Sequence, residues 1–91
     1  MEKRPLLYVT CTVGQGTIRL DGRLQGTEHH PQKIVLSVSQ PNRETLFQET
    51  VETDEHGYFE LVRPDPGPLP ESLLARAEWN GVKGTAAVPA Q

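Results

Sequence analysis

The sequence predicts an all-β fold, an antiparallel two-sheet β-sandwich of about seven strands, and three observations predict it. Apolar residues alternate with polar ones at period 2 in one stretch after another, which lines them up on one face of a strand and not along one stripe of a helix. Eight glycines and eight prolines in 91 residues interrupt the chain too often for long helices. An apolar sheet face cannot hide alone, so two sheets must stack and bury each other.

Leu7, Val9, Cys11 and Val13 alternate with Tyr8, Thr10 and Thr12 up to Gly14-Gln15-Gly16, which reads as a first strand ending in a turn. Ile18 and Leu20 share one face of a second strand, which Asp21-Gly22 kinks or ends before it resumes through Leu24. Gln25 to Gln32 has no apolar residue and reads as a surface loop. Ile34, Leu36 and Val38 form the most apolar strand, expected to be central, and Pro41-Asn42 ends it. Thr45 to Thr53 alternates poorly because Glu49 stands between Phe47 and Val51, the pattern of an edge strand. Phe59 and Leu61 face one way in a fifth strand and Tyr58, Glu60 and Val62 the other. From Arg63 to Glu71 four prolines forbid both helix and ladder and predict a stiff crossover. Ser72 to Asn80 has fair helix propensity, yet Leu73, Ala75, Ala77 and Trp79 alternate cleanly and Asn80-Gly81 is the preferred two-residue hairpin turn, so a strand is expected. Val82 to Val88 returns as a seventh strand, weakened by Gly84.

The chain is organised around Thr53 to Leu61, where an acidic turn runs into alternating apolar residues. The Asp54 side chain can bond the backbone two residues on, and Gly57 can take positive φ, so a hairpin-like reversal is expected here. One domain spans residues 1–91, with inward rows drawn from Val9, Ile18, Leu36, Phe59, Leu61, Ala77 and Trp79.

Charge and composition narrow the function. Nine basic against twelve acidic residues leave a net charge of -3, which gives no attraction to nucleic acid or to an anionic membrane. No apolar run reaches the roughly 20 residues that span a bilayer, and Thr10 and Thr12 interrupt the apolar centre a signal peptide would need. The single cysteine, Cys11, cannot make an internal disulfide, and on an apolar face it reads as a buried, inert hydrophobe.

Three pieces, Lys33 to Pro41, Val51 to Phe59 and Ala75 to Gly81, together resemble the Ig-like β-sandwich repeats of bacterial and archaeal surface proteins. In those repeats an I-x-L-x-V strand, a T-D-x-x-G-x-F turn and an A-x-W-x-G strand follow in this order. The same turn resembles carboxypeptidase regulatory-like and transthyretin-like sandwiches. The resemblance implies an extracellular or cell-surface, non-enzymatic module, a structural spacer or a domain that binds a protein or carbohydrate ligand or neighbouring domains. Alternatives are a transthyretin-like hydrolase or regulatory domain of an enzyme, and an oligomeric component of an appendage or virion.

No catalytic, cofactor or metal site is expected. His29-His30 and His56, with Glu28 or Asp54, contain metal-ligating residue types, but adjacent histidines on an extended chain point to opposite sides. Glu52, Asp54 and Glu55 lack the ligand pattern of a calcium loop. The Lys to Asn cross-link of some surface repeats would have to use Lys33 and Asn80, and Asn80 is better explained by its turn. Tyr8 and Tyr58, outward in the strand phases, and His29 and His30 in the polar loop are the candidate contact residues, with the Pro-rich crossover as a second contact region.

Overall fold

Alternation becomes strand wherever it was read. The computed structural model describes residues 4–14, 16–27, 29–40, 45–64 and 72–88. Its elements are β1 (Leu6–Gly14), β2 (Thr17–Gln25), β3 (Lys33–Ser39), β4 (Thr45–Glu52), β5 (Tyr58–Pro64), β6 (Leu73–Trp79) and β7 (Val82–Val88). They form two antiparallel sheets, one ordered β1-β2-β5 and the other β4-β3-β6-β7, stacked as a sandwich. β3 is internal and β4 lies at an edge, as their apolar content predicts. The stretch with helix propensity is β6: three small or branched residues, Leu73, Ala75 and Ala77, point inward and are buried.

Between the sheets lies one core. Ile18, Leu36 and Ala77 are fully buried, and Val9, Phe59 and Leu61 nearly so. Leu7, Leu20, Leu24, Ile34, Val38, Leu73 and Ala75 complete it. Trp79 corrects the expectation: it is half-buried at the end of β6, where the indole N–H reaches Gln32 Oε1 at 3.3 Å while the ring packs on the core rim. A large ring with one polar atom is better satisfied there than in the apolar centre. Cys11 is likewise only half-buried, and desolvation raises its pKa.

Four further expectations change. Asp21-Gly22 does not end β2, which runs on to Gln25. A Cβ on Gly22 would fall 1.9 Å from the Tyr8 carbonyl oxygen and 2.7 Å from Phe59 Cζ, so the bare glycine leaves the space that the Phe59 ring fills. Gly84 does not interrupt β7 and lets β1 approach, since a Cβ there would lie 2.4 Å from the Leu7 carbonyl oxygen. Arg63 and Pro64 belong to β5 and not to the crossover, because an edge strand tolerates a proline whose missing N–H faces outward. Finally, Thr53 to Leu61 is a corner between sheets and not a hairpin: β4 pairs with β3, and β5 with β2. The Pro41-Asn42 turn, the crossover from residue 65 to 71 and Glu28 lie outside the described residues.

The hairpin turn at Asn80-Gly81 forms as expected, with φ of 46° and 82° at its two central residues and Trp79 opposite Val82, the backbone of a type I′ turn.

The sandwich has two seams. At one, β1 packs closely on β7 across Gly84. At the other, β4 and β5 face each other without pairing, and Glu49 and Arg63, both on inward-facing positions, bridge it: Arg63 Nε donates to Glu49 Oε2 and Nη2 to Oε1. This forked geometry is the strongest form of an Arg–carboxylate pair. It explains the broken alternation of β4, because the charge at the apolar phase has a partner on the other sheet. The side-chain hydrogen bonds from Arg63 hold the Glu49 carboxyl below the usual carboxylate range.

Two outcomes follow from this packing. Gly57→Ala should destabilise the fold by about 1–3 kcal/mol from its backbone conformation alone, and by more from the overlap of the new Cβ, 2.3 Å from the Leu24 carbonyl oxygen; urea unfolding reads it. Because the folded-state pKa of Glu49 is depressed, its contribution is present above the unfolded-state carboxylate pKa of about 4.3 and is lost as pH falls through the folded value. The stability gap between wild type and Glu49→Gln should be open at pH 7 and close under acid.

Candidate functional site

The two outward faces differ. On the four-stranded sheet, the register sets Lys33 opposite Glu52, Ser37 opposite Gln48 and Arg76, and Glu78 opposite Lys83, a solvated surface of complementary polar pairs. On the three-stranded sheet, Leu6, Tyr8, Tyr58 and Val62 are exposed, four of the six large hydrophobic side chains that stand out in water among the described residues.

Register places the tyrosines. Tyr8 on β1 is opposite Arg23 on β2, and Arg23 is opposite Tyr58 on β5, so the three form one row across the sheet. At about 4.8 Å per strand the two tyrosine backbones lie about 10 Å apart, and Arg23 stands on the strand between them. Its Cζ is 4.8 Å from the centroid of the Tyr58 ring, a cation–π contact, and its Nε donates to the His56 carbonyl at 3.3 Å. In the next rows Arg19 Nη2 lies 2.5 Å from Glu60 Oε2 and 3.6 Å from Asp21 Oδ2, and Thr10 Oγ1 donates to Asp21 Oδ1. Such exposed pairs contribute little stability but orient one another, leaving the tyrosine row as the apolar strip of an open depression of about 910 Å³.

The corner that closes this face is held by backbone and side-chain bonds together. Asp54 Oδ1 accepts from the N–H groups of His56 at 2.8 Å and Tyr58 at 2.9 Å. Those bonds, that to Tyr58 first, hold the Asp54 carboxyl below its usual range. Gly57 takes φ of 89°, and its carbonyl accepts from Leu24 N at 2.8 Å, which delivers the chain to β2. Before the turn, Thr53 is buried, 4% exposed, and its Oγ1 accepts from Gln32 N at 2.8 Å and sits 3.1 Å from His30 Nδ1. Thr53 N donates to the Gln32 carbonyl at 2.9 Å, so the polar loop is fastened to the corner through one residue.

The predicted site residues therefore divide. Tyr8 and Tyr58 fall in one row on either side of Arg23, which packs on Tyr58 and which sequence reasoning passed over. His29 is exposed and stands apart. His30 and His56, not expected to form a site, line one depression with Arg4 and Arg23. Asp54, Gly57, Asn80 and Gly81 are the turn residues expected. Among the described residues no group of three His, Cys, Asp or Glu side chains is arranged to hold a metal ion, and Lys33 and Asn80 are exposed with no buried carboxyl described near them. Comparison with protein-family models, curated proteins and solved structures gave no match.

Thr53→Val keeps the shape and removes the hydroxyl, leaving Gln32 N–H without its partner. It should cost about 1–3 kcal/mol in chemical denaturation and shift the His30 ring signals in NMR spectra, while Thr53→Ser should recover most of both.

Proposed function

We propose that this chain is a non-enzymatic, Ig-like binding module of a surface or secreted assembly, which holds a protein partner on the outward face of its three-stranded sheet. The observation that carries this is the Tyr8-Arg23-Tyr58 row: tyrosine and arginine are the side chains that most often anchor protein interfaces, and here the two tyrosines stand exposed and the arginine half-buried on paired strands. One face of Tyr58 is covered by the Arg23 guanidinium, which favours a protein surface over a stacked sugar ring. The strand order, with β3 and β6 inside the larger sheet and β1, β2 and β5 in the smaller, supports the Ig-like reading, with β4 placed beside β3 and not beside β5 as in the constant-type arrangement. The surface location rests on the resemblance of the three sequence pieces.

A second reading, a transthyretin-like hydrolase or a regulatory domain of one, is favoured by a single observation: His30 and His56 meet two arginines at one end of the sandwich. Hydrolytic turnover lost in both His30→Gln and His56→Gln would support it.

For the binding reading, a partner isolated with wild type and then purified should lose at least about tenfold in affinity with Tyr58→Ala or Tyr8→Ala, the loss typical of an anchoring side chain. Leu74→Ala, on the other sheet's outward face, should bind as wild type does. Equal binding by all three variants would overturn the assignment of the face.

A further inference from the structure

At the end of the sandwich where the polar loop, the lead-in to β1 and the β4–β5 corner meet, there is a depression of about 570 Å³ lined by Arg4, Arg23, His30 and His56, with Leu6 and Leu24 as its apolar part. Four segments of chain supply the four nitrogen-bearing side chains, and each segment is held. Arg4 precedes β1, whose Leu6 is opposite Gln25, and its backbone lies against Gly26, where a Cβ would meet Pro5 Cα at 2.9 Å and the Arg4 carbonyl oxygen at 3.0 Å. Arg23 is fixed by Tyr58 and the His56 carbonyl, and its two terminal nitrogens make no hydrogen bond among the described residues. His30 is tied through Nδ1 to Thr53, with its ring edge packed on Gly57. The backbone of His56 is anchored on Asp54 Oδ1.

The electrostatics of this spot run against those of the chain. The protein is net acidic, at -3, yet no Asp or Glu is among the described residues that line the depression. Among the described carboxylates, Glu55 lies 3.4 Å from His56 Nε2 with both side chains largely in water, and Asp54 Oδ1 beside the backbone of His56 is taken up by the N–H groups of His56 and Tyr58. By contrast, Arg19 on the sheet face is neutralised by Glu60 and Asp21. A guanidinium held in place, as that of Arg23 is, beside a second arginine, imidazoles and apolar side chains, is the chemistry that recognises an oxyanion.

We propose that this depression is an oxyanion site, taking a phosphate or carboxylate group carried by a ligand, with Arg23 and Arg4 supplying charge and N–H donors and His30 and His56 lining its sides. It uses Arg23 but does not rest on the protein-partner reading, since Tyr8 is no part of it.

The test is an NMR titration of the isotope-labelled chain with sodium phosphate and, separately, sodium acetate, at constant pH and at ionic strength balanced with sodium chloride. Saturable shifts are expected at the amides of Gly26, Thr27 and His56 and at the ring signals of His30 and His56. Arg4→Gln and Arg23→Gln should each weaken binding about tenfold, the loss expected for a charge-assisted pair. Arg76→Gln, on the other sheet's outward face, should leave it unchanged, as should Tyr8→Ala, which separates this site from the tyrosine row. Thermal melts confirm that the variants fold, and Arg4→Gln stands in if loss of the Arg23 contact to Tyr58 unfolds the chain. Tighter phosphate binding assigns the natural group as a phosphate and tighter acetate binding as a carboxylate, and either supports the site. Shifts that never saturate, or an equal loss in Arg76→Gln, would overturn it, because only diffuse charge would then be acting.

Discussion

The fold turns on one buried hydroxyl. Thr53 leaves the β4 ladder and gives its N–H, and the acceptor side of its Oγ1, to the same residue, Gln32. That exchange satisfies polar groups which would be costly to bury unpaired, and it fixes where the chain stops belonging to one sheet and starts toward the other. Asp54 then accepts two turn N–H groups on a single oxygen, and Gly57 hands its carbonyl to Leu24. Within five residues the chain changes layers. The polar loop, the tyrosine row and the cationic end of the molecule all take their positions from this joint.

Much of this was legible in the residues, and the part that was not has a physical cause. Period-2 alternation located all seven strands and their inward phases, and the Asn80-Gly81 pair specified its own turn. The Thr53 to Gly57 turn was equally visible, but turn chemistry is local and does not say which strand the chain meets afterwards, so a corner between sheets read as a hairpin. Trp79 was misplaced because alternation reports a phase and not a depth: the right face near the end of a strand is only half-covered. Gly84 read as a weak point because its value lies wholly in another strand's approach.

The candidate site was half legible for similar reasons. The β1–β2 register puts Gly14 opposite Thr17 and so sets Tyr8 opposite Arg23, which counting along the hairpin could have revealed. The partnership of Arg23 with Tyr58 joins residues 35 positions apart, and only the sheet order discloses it. His30 and His56 meet for the same kind of reason, through Thr53 and Gly57. What separates the two outward faces is therefore not composition along the chain but which strands become neighbours.

Glu49 and Arg63 carry a consequence of another kind. Sheet edges invite a foreign strand to add itself, and inward-pointing charges on such edges discourage it. Here both facing edges carry one, each neutralised by the other across the gap. A strand lengthening either layer at this side would have to continue the oily interior past two ions or prise them apart. At this side of the sandwich the paired charges thus set a boundary to both layers.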